Sequence, residues 1–381
     1  MKDFIFHNPT KLIFGKNAMA QIRPNIETFG RRVLLTYGKG SIKKNGIYDK
    51  VIKELKGLRI KEFGGIEPNP RVETLCQALA QHRSFNPDII LAVGGGSVID
   101  GSKLLASSFH YDGDPWDFLA KKVEPKKYLP LGVILTLSAT GSEMNCGAVI
   151  TKWETHEKKP FGKDELYPKF SILDPQNTFS VPRDQTAYGI IDAFSHVLEQ
   201  YLHTTIDVPL QDRFSESILL TLIENAPLVL KNLKDYKARA NLMLSATMAL
   251  NNLISMGVNE DWACHSIEHQ FSAFYDIPHG AGLAIITPRW MKVVKEQKRE
   301  KLFQFGQRIW GLKGNEKEVV DGAIQKTYDF FKLLGVKMSL REWKIDTEHF
   351  EVMIKRLVKG KIGEKALSKK QIERILHDCL G

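Results

Sequence analysis

The pattern of apolar segments changes once along the chain, near residues 181–186, and this change most limits the fold. Before it, short apolar runs such as RRVLLTYG and PDIILAVGGGS alternate with amphipathic stretches of helical spacing, which indicates a parallel sheet flanked by helices. After it, one helical pattern follows another to the C-terminus. We therefore expect an α/β domain over residues 1–180 and an all-helical domain over residues 181–381.

The composition is that of an ordinary globular enzyme or binding protein. The 381 residues are 43% hydrophobic and 26% charged, and no apolar run approaches the roughly 20 residues that span a bilayer. The N-terminus lacks a signal-peptide pattern, and the four cysteines form no CxxC, so we expect reduced thiols and a cytoplasmic protein. The net charge of +10 is spread among acidic residues, so we expect no nucleic-acid or membrane partner, although a positive field would attract an anionic cofactor.

Two loops rich in small residues follow apolar runs in the first half. Residues 94–97 read Gly-Gly-Gly-Ser and lead into a helix that carries Asp100. Glycines let a phosphate approach the backbone, and a helix N-terminus offers free N–H groups. The second loop carries hydroxyls at Thr136, Ser138 and Thr140. Although the first loop is not GxGxxG and could be a flexible turn, the two together predict a pyrophosphate crevice.

A third loop, at residues 38–41, has Gly, Lys, Gly and Ser where NAD-preferring sites place an acid. Without a carboxylate to repel it, a 2′-phosphate would be accepted there, helped by Ser41 and by Lys39 or Lys43. The loop therefore favours NADP(H) over NAD(H). The alternative interpretation is a plain polar turn.

Four histidines and one aspartate have the spacing of metal ligands. His265 and His269 are four residues apart, as are Asp192 and His196, so each pair shares one face of a helix. His279 follows in the same stretch as the first pair. One carboxylate with two or three imidazoles suits a divalent transition metal, Fe(II) or Zn(II), with a position left for substrate. The alternative is that these are surface or hydrogen-bonded core histidines.

The combined motifs resemble those of a known family. GGGSxxDxxK at 94–103, TGSE at 140–143, DAxxH at 192–196 and HxxxHxxxxxxxxxH at 265–279 are similar to the iron-containing (group III) alcohol dehydrogenases. Within that family the chain most resembles the NADPH-dependent butanol dehydrogenases and broad-range aldehyde reductases, over nearly its whole length. The resemblance implies a dehydroquinate synthase-like architecture, with a dinucleotide-binding α/β domain, an all-helical metal-binding domain and an active site between them.

The resemblance also implies a set of site residues. The metal ligands would be Asp192, His196, His265 and His279. The family's additional histidine falls on His269, near the metal and cofactor, and His269 is our candidate for passing the substrate proton towards solvent. The expected cofactor contacts are Gly38, Gly40, Ser41, Asn69, Gly94, Gly95, Gly96, Ser97, Val98, Asp100, Thr136, Leu137, Ser138, Thr140, Val149 and Lys158.

The expected activity is hydride transfer between NADP(H) and short-chain primary alcohols or aldehydes, with the metal as Lewis acid on the substrate oxygen. One alternative is an NAD(H)-preferring alcohol or diol dehydrogenase of the same family. Another is a dehydroquinate synthase-like lyase, whose polyanionic substrate would need a more basic pocket, and a third is a non-catalytic binding protein. The resemblance also implies a homodimer or larger homo-oligomer. FIFHNPTKLIFG alternates like a β-hairpin around Asn8 and Pro9, and this hairpin is the expected place for a cross-subunit strand.

Overall fold

In the computed structural model, which describes residues 1–205 and 207–381, the chain forms two compact units. The sheet unit comprises His7–Pro182 and Asn232–Thr247, and the helical unit comprises Met1–Phe6, Arg183–Lys231 and Met248–Gly381. The domain division at residues 180 and 181 stays a prediction. The compact units differ from it chiefly in the first six residues and in the segment from Asn232 to Thr247.

Six strands of the sheet unit form one parallel sheet, in the order β1-β8-β5-β4-β2-β3, and two more form a separate antiparallel ribbon. This confirms the predicted parallel sheet with flanking helices; the ribbon and the last strand were not predicted. The strands are β1 (Lys11–Phe14), β2 (Arg32–Tyr37), β3 (Arg59–Gly64), β4 (Ile89–Gly94), β5 (Leu131–Leu135), β6 (Gly147–Lys152), β7 (Glu157–Gly162) and β8 (Phe170–Leu173).

The helices follow the predicted change from alternating to all-helical pattern. They are α1 (Ile22–Ile26), α2 (Ser41–Lys44), α3 (Ile47–Glu54), α4 (Val72–His82), α5 (Gly96–Ser108), α6 (Trp116–Leu119), α7 (Arg183–Tyr201), α8 (Pro209–Lys231), α9 (Tyr236–Ala249), α10 (Ala263–Tyr275), α11 (His279–Val294), α12 (Arg299–Arg308), α13 (Glu316–Leu333), α14 (Phe350–Gly360) and α15 (Lys369–Asp378). Most of α9 belongs to the sheet unit with α1–α6, and the others belong to the helical unit.

The central strands are buried on both faces, as their continuous apolar sequences require. Successive residues of β2 point to opposite sides: Val33 and Leu35 join one core with Val51 of α3, and Leu34 joins the other with Leu75 of α4. Because side chains alternate along a strand, residues of the same strand contribute to two hydrophobic cores, one on each side of the sheet.

The register of the sheet brings the predicted loops to one edge. Tyr37 at the end of β2 pairs with Val93 of β4, and Gly94 at the end of β4 pairs with Leu135 of β5. Because these three strands are parallel neighbours, the loops at 38–41, 95–97 and 136–140 leave the sheet side by side. Ligands of open parallel sheets bind at such carboxyl ends.

The predicted N-terminal hairpin is wrong. Only Lys11–Phe14 is a strand, and it lies at the sheet edge in parallel with β8. Residues 1–6 belong to the helical unit, where the Lys2 amide donates to the Gly257 carbonyl at 2.9 Å. The two apolar arms of the motif therefore belong to different units and do not pair with each other.

The helical unit is held by packing of its longest helices. The helix α7 packs against α8 and α11, and α10 packs against α11. Phe194 of α7 lies at the centre of an aromatic cluster, with its ring 5.4 Å from the rings of Phe330 and Phe331 and 6.5 Å from that of Phe305. Large aromatic side chains contribute most of the buried apolar area in such contacts.

No helix within residues 1–205 and 207–381 is both long and apolar enough to cross a bilayer. The four cysteines are free thiols, and Cys264 and Cys379 are buried. Burial raises the pKa of the Cys379 thiol to about 12, so the thiol stays protonated at neutral pH. These cysteines act as small apolar side chains.

Candidate metal and cofactor sites

The first pair of predicted ligands lies on α7. Asp192 and His196 are one turn apart, and their side chains are 4% and 5% exposed. The Asp192 Oδ1 atom lies 3.5 Å from His196 Nδ1. The 19-residue helix α7 runs through the packed interior of the helical unit, so it carries both polar side chains into an apolar environment.

Two histidines from α10 and α11 approach the same carboxylate. The Nε2 atom of His265 lies 3.7 Å from Asp192 Oδ1, and that of His279 lies 3.5 Å from it. A glycine permits the approach of α11, because a Cβ at Gly280 would lie 2.2 Å from the Tyr188 carbonyl oxygen of α7. The structure therefore brings together Asp192, His265 and His279, with donor atoms all within 4.8 Å of one another.

Three buried atoms of this cluster have no hydrogen-bond partner within residues 1–205 and 207–381. They are Asp192 Oδ1, His196 Nδ1 and His265 Nε2. Leaving a buried polar atom unpaired costs about 1–3 kcal/mol, so three such atoms facing one point indicate a place for an ion or water. Donors about 2.1 Å from a tetrahedral ion are roughly 3.4 Å from one another. The separations of 3.5–3.7 Å from Asp192 Oδ1 are close to that value, so the donor set fits a divalent ion.

His196 lies beside the tight cluster rather than inside it. Its ring stacks on that of His265, with centroids 4.5 Å apart and planes at 21°. The set of donors within 4.8 Å of one another around Asp192 comprises Asp192, His265 and His279. Among the four predicted ligands, three converge and the fourth is in contact with Asp192.

Two glutamates that were not predicted hold the outer nitrogens of the histidines. Glu199 Oε2 is hydrogen-bonded to His265 Nδ1, and Glu268 Oε2 is hydrogen-bonded to His279 Nδ1. Both glutamate side chains are completely buried. Sequence spacing contained a signal for each, because Glu199 lies seven residues after Asp192 on α7 and Glu268 lies three residues after His265 on α10.

The buried carboxylates of the cluster favour a positive charge between them. Burial raises the pKa of the Asp192 carboxyl, but His196, His279 and His265 lower it more, so its pKa lies below the usual range. Burial lowers the pKa of His196 to about 3 despite the nearby Asp192. Burial also lowers the pKa of His265, but Glu199 and Asp192 outweigh it and raise that pKa to about 9. Positive charge is therefore favoured between these buried carboxylates.

His269 lies one turn along α10 from His265 and faces His279. The ring centroids of His269 and His279 are 5.6 Å apart. Donor atoms of Glu268, His269 and His279 also lie within 4.8 Å of one another. His269 is half-buried, and the side chain of His279 is 23% exposed, so this side of the cluster is the one nearest to solvent.

In the sheet unit, the glycine loop and the second small-residue loop touch. A Cβ at Gly96 would lie 2.5 Å from the Thr140 side chain, and one at Gly95 would lie 3.0 Å from Leu137. Side chains at these positions would therefore push the loops apart. The helix α5 begins at Gly96, so the N-terminal end of its dipole lies where these loops meet. This arrangement fits a pyrophosphate.

Other predicted cofactor contacts are joined by hydrogen bonds. The Lys158 ammonium donates to Asn69 Oδ1 at 2.9 Å, and both side chains are buried. Asn69 has φ of 53°, a left-handed conformation that asparagine tolerates better than most residues. The Val149 amide donates to Asp100 Oδ2 at 2.8 Å. The structure therefore connects β6 and β7 to the loops at the carboxyl edge.

A buried lysine that was not predicted as a site residue supports these loops. Lys103 of α5 is fully buried, and its ammonium donates to the Ser142 carbonyl and hydroxyl, Asn145 Oδ1 and the Gly147 carbonyl at 2.6–3.0 Å. The Ser142 hydroxyl in turn donates to Asp100 Oδ1 at 2.6 Å. Lys103 is the last residue of the motif GGGSxxDxxK, so the sequence showed its position. Its hydrogen-bond partners, however, lie between Ser142 and Gly147, about 40 residues further along the chain.

The two lysines proposed for the 2′-phosphate, Lys39 in the loop at 38–41 and Lys43 in α2, have different surroundings. The Lys43 ammonium lies 3.6 Å from the Glu62 carboxylate and within 5.0 Å of the ring centroids of Tyr37 and Tyr48. Lys39 and Ser41 are exposed at the carboxyl edge. Of the two lysines proposed for a 2′-phosphate, Lys43 already has an anionic partner.

Family models match almost the whole chain. Residues 9–175 match the iron-containing alcohol dehydrogenases, and residues 186–380 match the C-terminal part of the Fe-containing alcohol dehydrogenase family. The chain belongs to the iron-containing alcohol dehydrogenase family. The resemblance deduced from the motifs is thereby confirmed, as is the combination of an α/β N-terminal part with a helical C-terminal part.

Curated relatives and solved structures of this family are similar over full length. The chain is 44% identical to probable NADH-dependent butanol dehydrogenase 1 of Bacillus subtilis (strain 168), over 100% of both chains. It is also 44% identical to NADPH-dependent aldehyde reductase YqhD of Escherichia coli (strain K12), over 94% of this chain and 93% of that one. The crystal structure of NADH-dependent butanol dehydrogenase A from Thermotoga maritima superposes with a TM-score of 0.96 at 39% identity, covering 100% of this chain and 99% of that one.

Proposed function

We propose that this chain catalyses hydride transfer between a nicotinamide cofactor and short-chain primary alcohols or aldehydes, with a bound divalent metal. The observation that carries the proposal is the convergence of Asp192, His265 and His279 with unpartnered buried donors. Relatives that are 44% identical are named as a butanol dehydrogenase and an aldehyde reductase, which supports this substrate class.

Asp192, His196, His265 and His279 would hold the metal, either Fe(II) or Zn(II). When bound, the ion would supply a Lewis acid for the substrate oxygen. The chain's own contribution is to supply one carboxylate and three imidazoles from a largely buried site, where the low dielectric strengthens their hold on a cation. Because the His279 side chain is 23% exposed, substrate would approach the metal from its side of the cluster.

His269 is the residue that we propose to carry a proton between the substrate hydroxyl and solvent. Its imidazole is half-buried and lies beside His279. A histidine in such a position changes protonation near neutral pH more readily than any other side chain. The proposed role is proton transfer and not metal ligation.

The cofactor would bind with its pyrophosphate at the N-terminus of α5. We favour NADP(H), because no carboxylate stands in the loop at 38–41 and exposed Lys39 and Ser41 are available to a 2′-phosphate. Lys43 contributes less, since Glu62 already neutralises its charge. Names of relatives include both NADH- and NADPH-dependent enzymes, so the preference depends on this loop.

The decisive assay follows NADPH and NADH consumption with butanal, before and after dialysis against a chelator and after restoring Fe(II) or Zn(II). We expect faster turnover with NADPH, loss of turnover on chelation and recovery with metal. Faster turnover with NADH would refute the cofactor preference alone. Metal binding without turnover on any aldehyde would refute the proposed reaction.

A matched pair of histidine variants tests the metal site. His265→Ala should lower the bound metal well below one equivalent, whereas His377→Ala, on the exposed side of α15, should leave it unchanged. Full metal content in His265→Ala, measured by atomic emission, would contradict the assignment.

The cytoplasmic location and the homo-oligomer stay predictions. The N-terminal segment supports association, because Phe4, Ile5 and Phe6 are 47%, 96% and 43% exposed. Exposed apolar residues in a row are typical of a protein interface. Sedimentation of Ile5→Asp beside the unchanged chain tests this: an identical mass for both would argue against an interface at this segment.

A further inference from the structure

Two buried glutamates stand behind the histidines of the candidate metal site. Glu199 projects from α7 and reaches His265, and Glu268 projects from α10 and reaches His279. In each pair the Nδ1 atom faces the carboxylate, while the Nε2 atom faces Asp192 at 3.7 or 3.5 Å. The two histidines are therefore presented in the same way by glutamates from different helices.

A carboxylate oxygen accepts hydrogen bonds but does not donate them, so the nitrogen that faces it carries the proton. When the ring is neutral, as metal binding requires, this places the hydrogen on Nδ1 and leaves a lone pair on Nε2. That lone pair is directed towards Asp192 and the other donors. A ring with the opposite tautomer would present a hydrogen there and would not bind a metal.

We infer that Glu199 and Glu268 are positioning residues that set the tautomer and orientation of His265 and His279 and thereby the affinity for the metal. The inference rests on the metal site proposed above. It assigns to each glutamate an action through its histidine and not a contact with substrate or metal.

The packing around Glu268 supports a fixed position for its carboxylate. A Cβ at Gly282 of α11 would lie 2.7 Å from Glu268 Cγ and 3.0 Å from Oε1. The Ser272 hydroxyl donates to Oε1, which leaves Oε2 for His279. A residue larger than glycine at 282 would displace the carboxylate from the histidine.

Glu199 also accepts hydrogen bonds from the backbone at the start of α10. It accepts the backbone amides of Cys264 at 2.6 Å and His265 at 3.2 Å, at the start of α10. The residue before that helix, Trp262, has φ of 60° and no side-chain cap. Glu199 therefore caps the N-terminus of α10 from the neighbouring helix α7, and the same carboxylate also orients the His265 ring. Its removal would weaken the helix start as well as the metal site, which makes Glu268 the cleaner test.

The experiment compares Glu268→Gln with Glu216→Gln in the full chain. Glutamine has the same size, but its amide group offers a donor that permits the other histidine tautomer. Glu216 belongs to the same unit and bonds to Tyr201 and Arg308, with no contact to the ligand histidines. Zinc affinity is measured by competition with a chromophoric chelator, and the visible spectrum of the Co(II) form reports ligand geometry. Thermal unfolding of the metal-free forms reports fold.

We expect Glu268→Gln to weaken zinc binding about 10- to 100-fold and to change the Co(II) spectrum, with Glu216→Gln unchanged in both. If the glutamine variant does not fold, Glu268→Asp, which keeps the charge but shortens the reach, should show the same loss. Unchanged affinity and spectrum in folded variants, with tight binding by the original chain, would overturn the inference and leave the metal site standing. No zinc binding by the original chain would overturn both the site and the inference.

Discussion

Replacing Lys103 by methionine should destabilise the protein and change how its stability depends on pH. Methionine has a similar length but no donor, so the carbonyls of Ser142 and Gly147 would lose the ammonium at 2.8 and 2.6 Å. The other two acceptors keep partners, because the Ser142 hydroxyl bonds to Asp100 and Asn145 Oδ1 accepts the Gly147 amide. Two unsatisfied carbonyls cost roughly 2–6 kcal/mol together at pH 7.

The pH dependence follows from the burial of the charge. Burial lowers the pKa of Lys103 from 10.5 to about 8, against the attraction of Asp100. Between those pH values the unfolded chain holds a proton on this lysine that the folded chain has released. Raising the pH through this window therefore favours the folded state. The original chain should gain up to about 3 kcal/mol over the variant between pH 8 and 10.5.

Urea unfolding of both proteins at pH 7, 8, 9 and 10 measures the effect, and the difference between them cancels the titration of groups that do not interact with Lys103. One net hydrogen bond contributes roughly 1 kcal/mol to stability. If the free energies of unfolding of the variant and the original chain differ by less than about 0.5 kcal/mol at pH 7, the hydrogen bonds of Lys103 do not stabilise the fold as argued. A difference that stays flat or falls between pH 8 and 10.5 would refute the argument from burial.

Three further substitutions test the cofactor and proton sites. Gly96→Ala should raise the KM for NADPH about tenfold or more, because the methyl group would lie 2.5 Å from the second loop; Gly360→Ala, whose nearest neighbour is 3.7 Å away, should not. Lys39→Ala should raise the KM for NADPH but not for NADH, and Lys43→Ala should do so less; equal effects would contradict the assignment. His269→Asn should lower kcat about 100-fold and remove one ionisation from the pH–rate profile; an unchanged profile would exclude its proton role.

Local spacing predicted the elements that carry the site. The four-residue offsets place Asp192 and His196 on one helix and His265 and His269 on another, as the structure has them. The glycine loop was predicted to link a strand to a helix, and it does so between β4 and α5. Such features depend on residues close in sequence, and the periods of helix and strand make them visible there.

Chain segments with weak local signals were predicted less well. The strand β8 has only four residues, and the ribbon β6–β7 contains charged residues and a proline. The N-terminal motif alternates like a hairpin, yet its two arms belong to different compact units. Short strands become stable only when a partner supplies their hydrogen bonds, and the sequence of a strand does not name its partner.

By itself, the sequence determined the fold class and the family, and it supplied the residues that we propose to bind metal and nucleotide. Only the tertiary structure decided which partner each residue has: Glu199 for His265, Glu268 for His279, and the Ser142 segment for Lys103. Periodicity indicates which face of a helix or strand is buried. The partner of a buried charged side chain, however, lies on another helix, strand or loop. That pairing depends on how helices and strands pack, because hydrogen bonds of buried groups form only at contact distance.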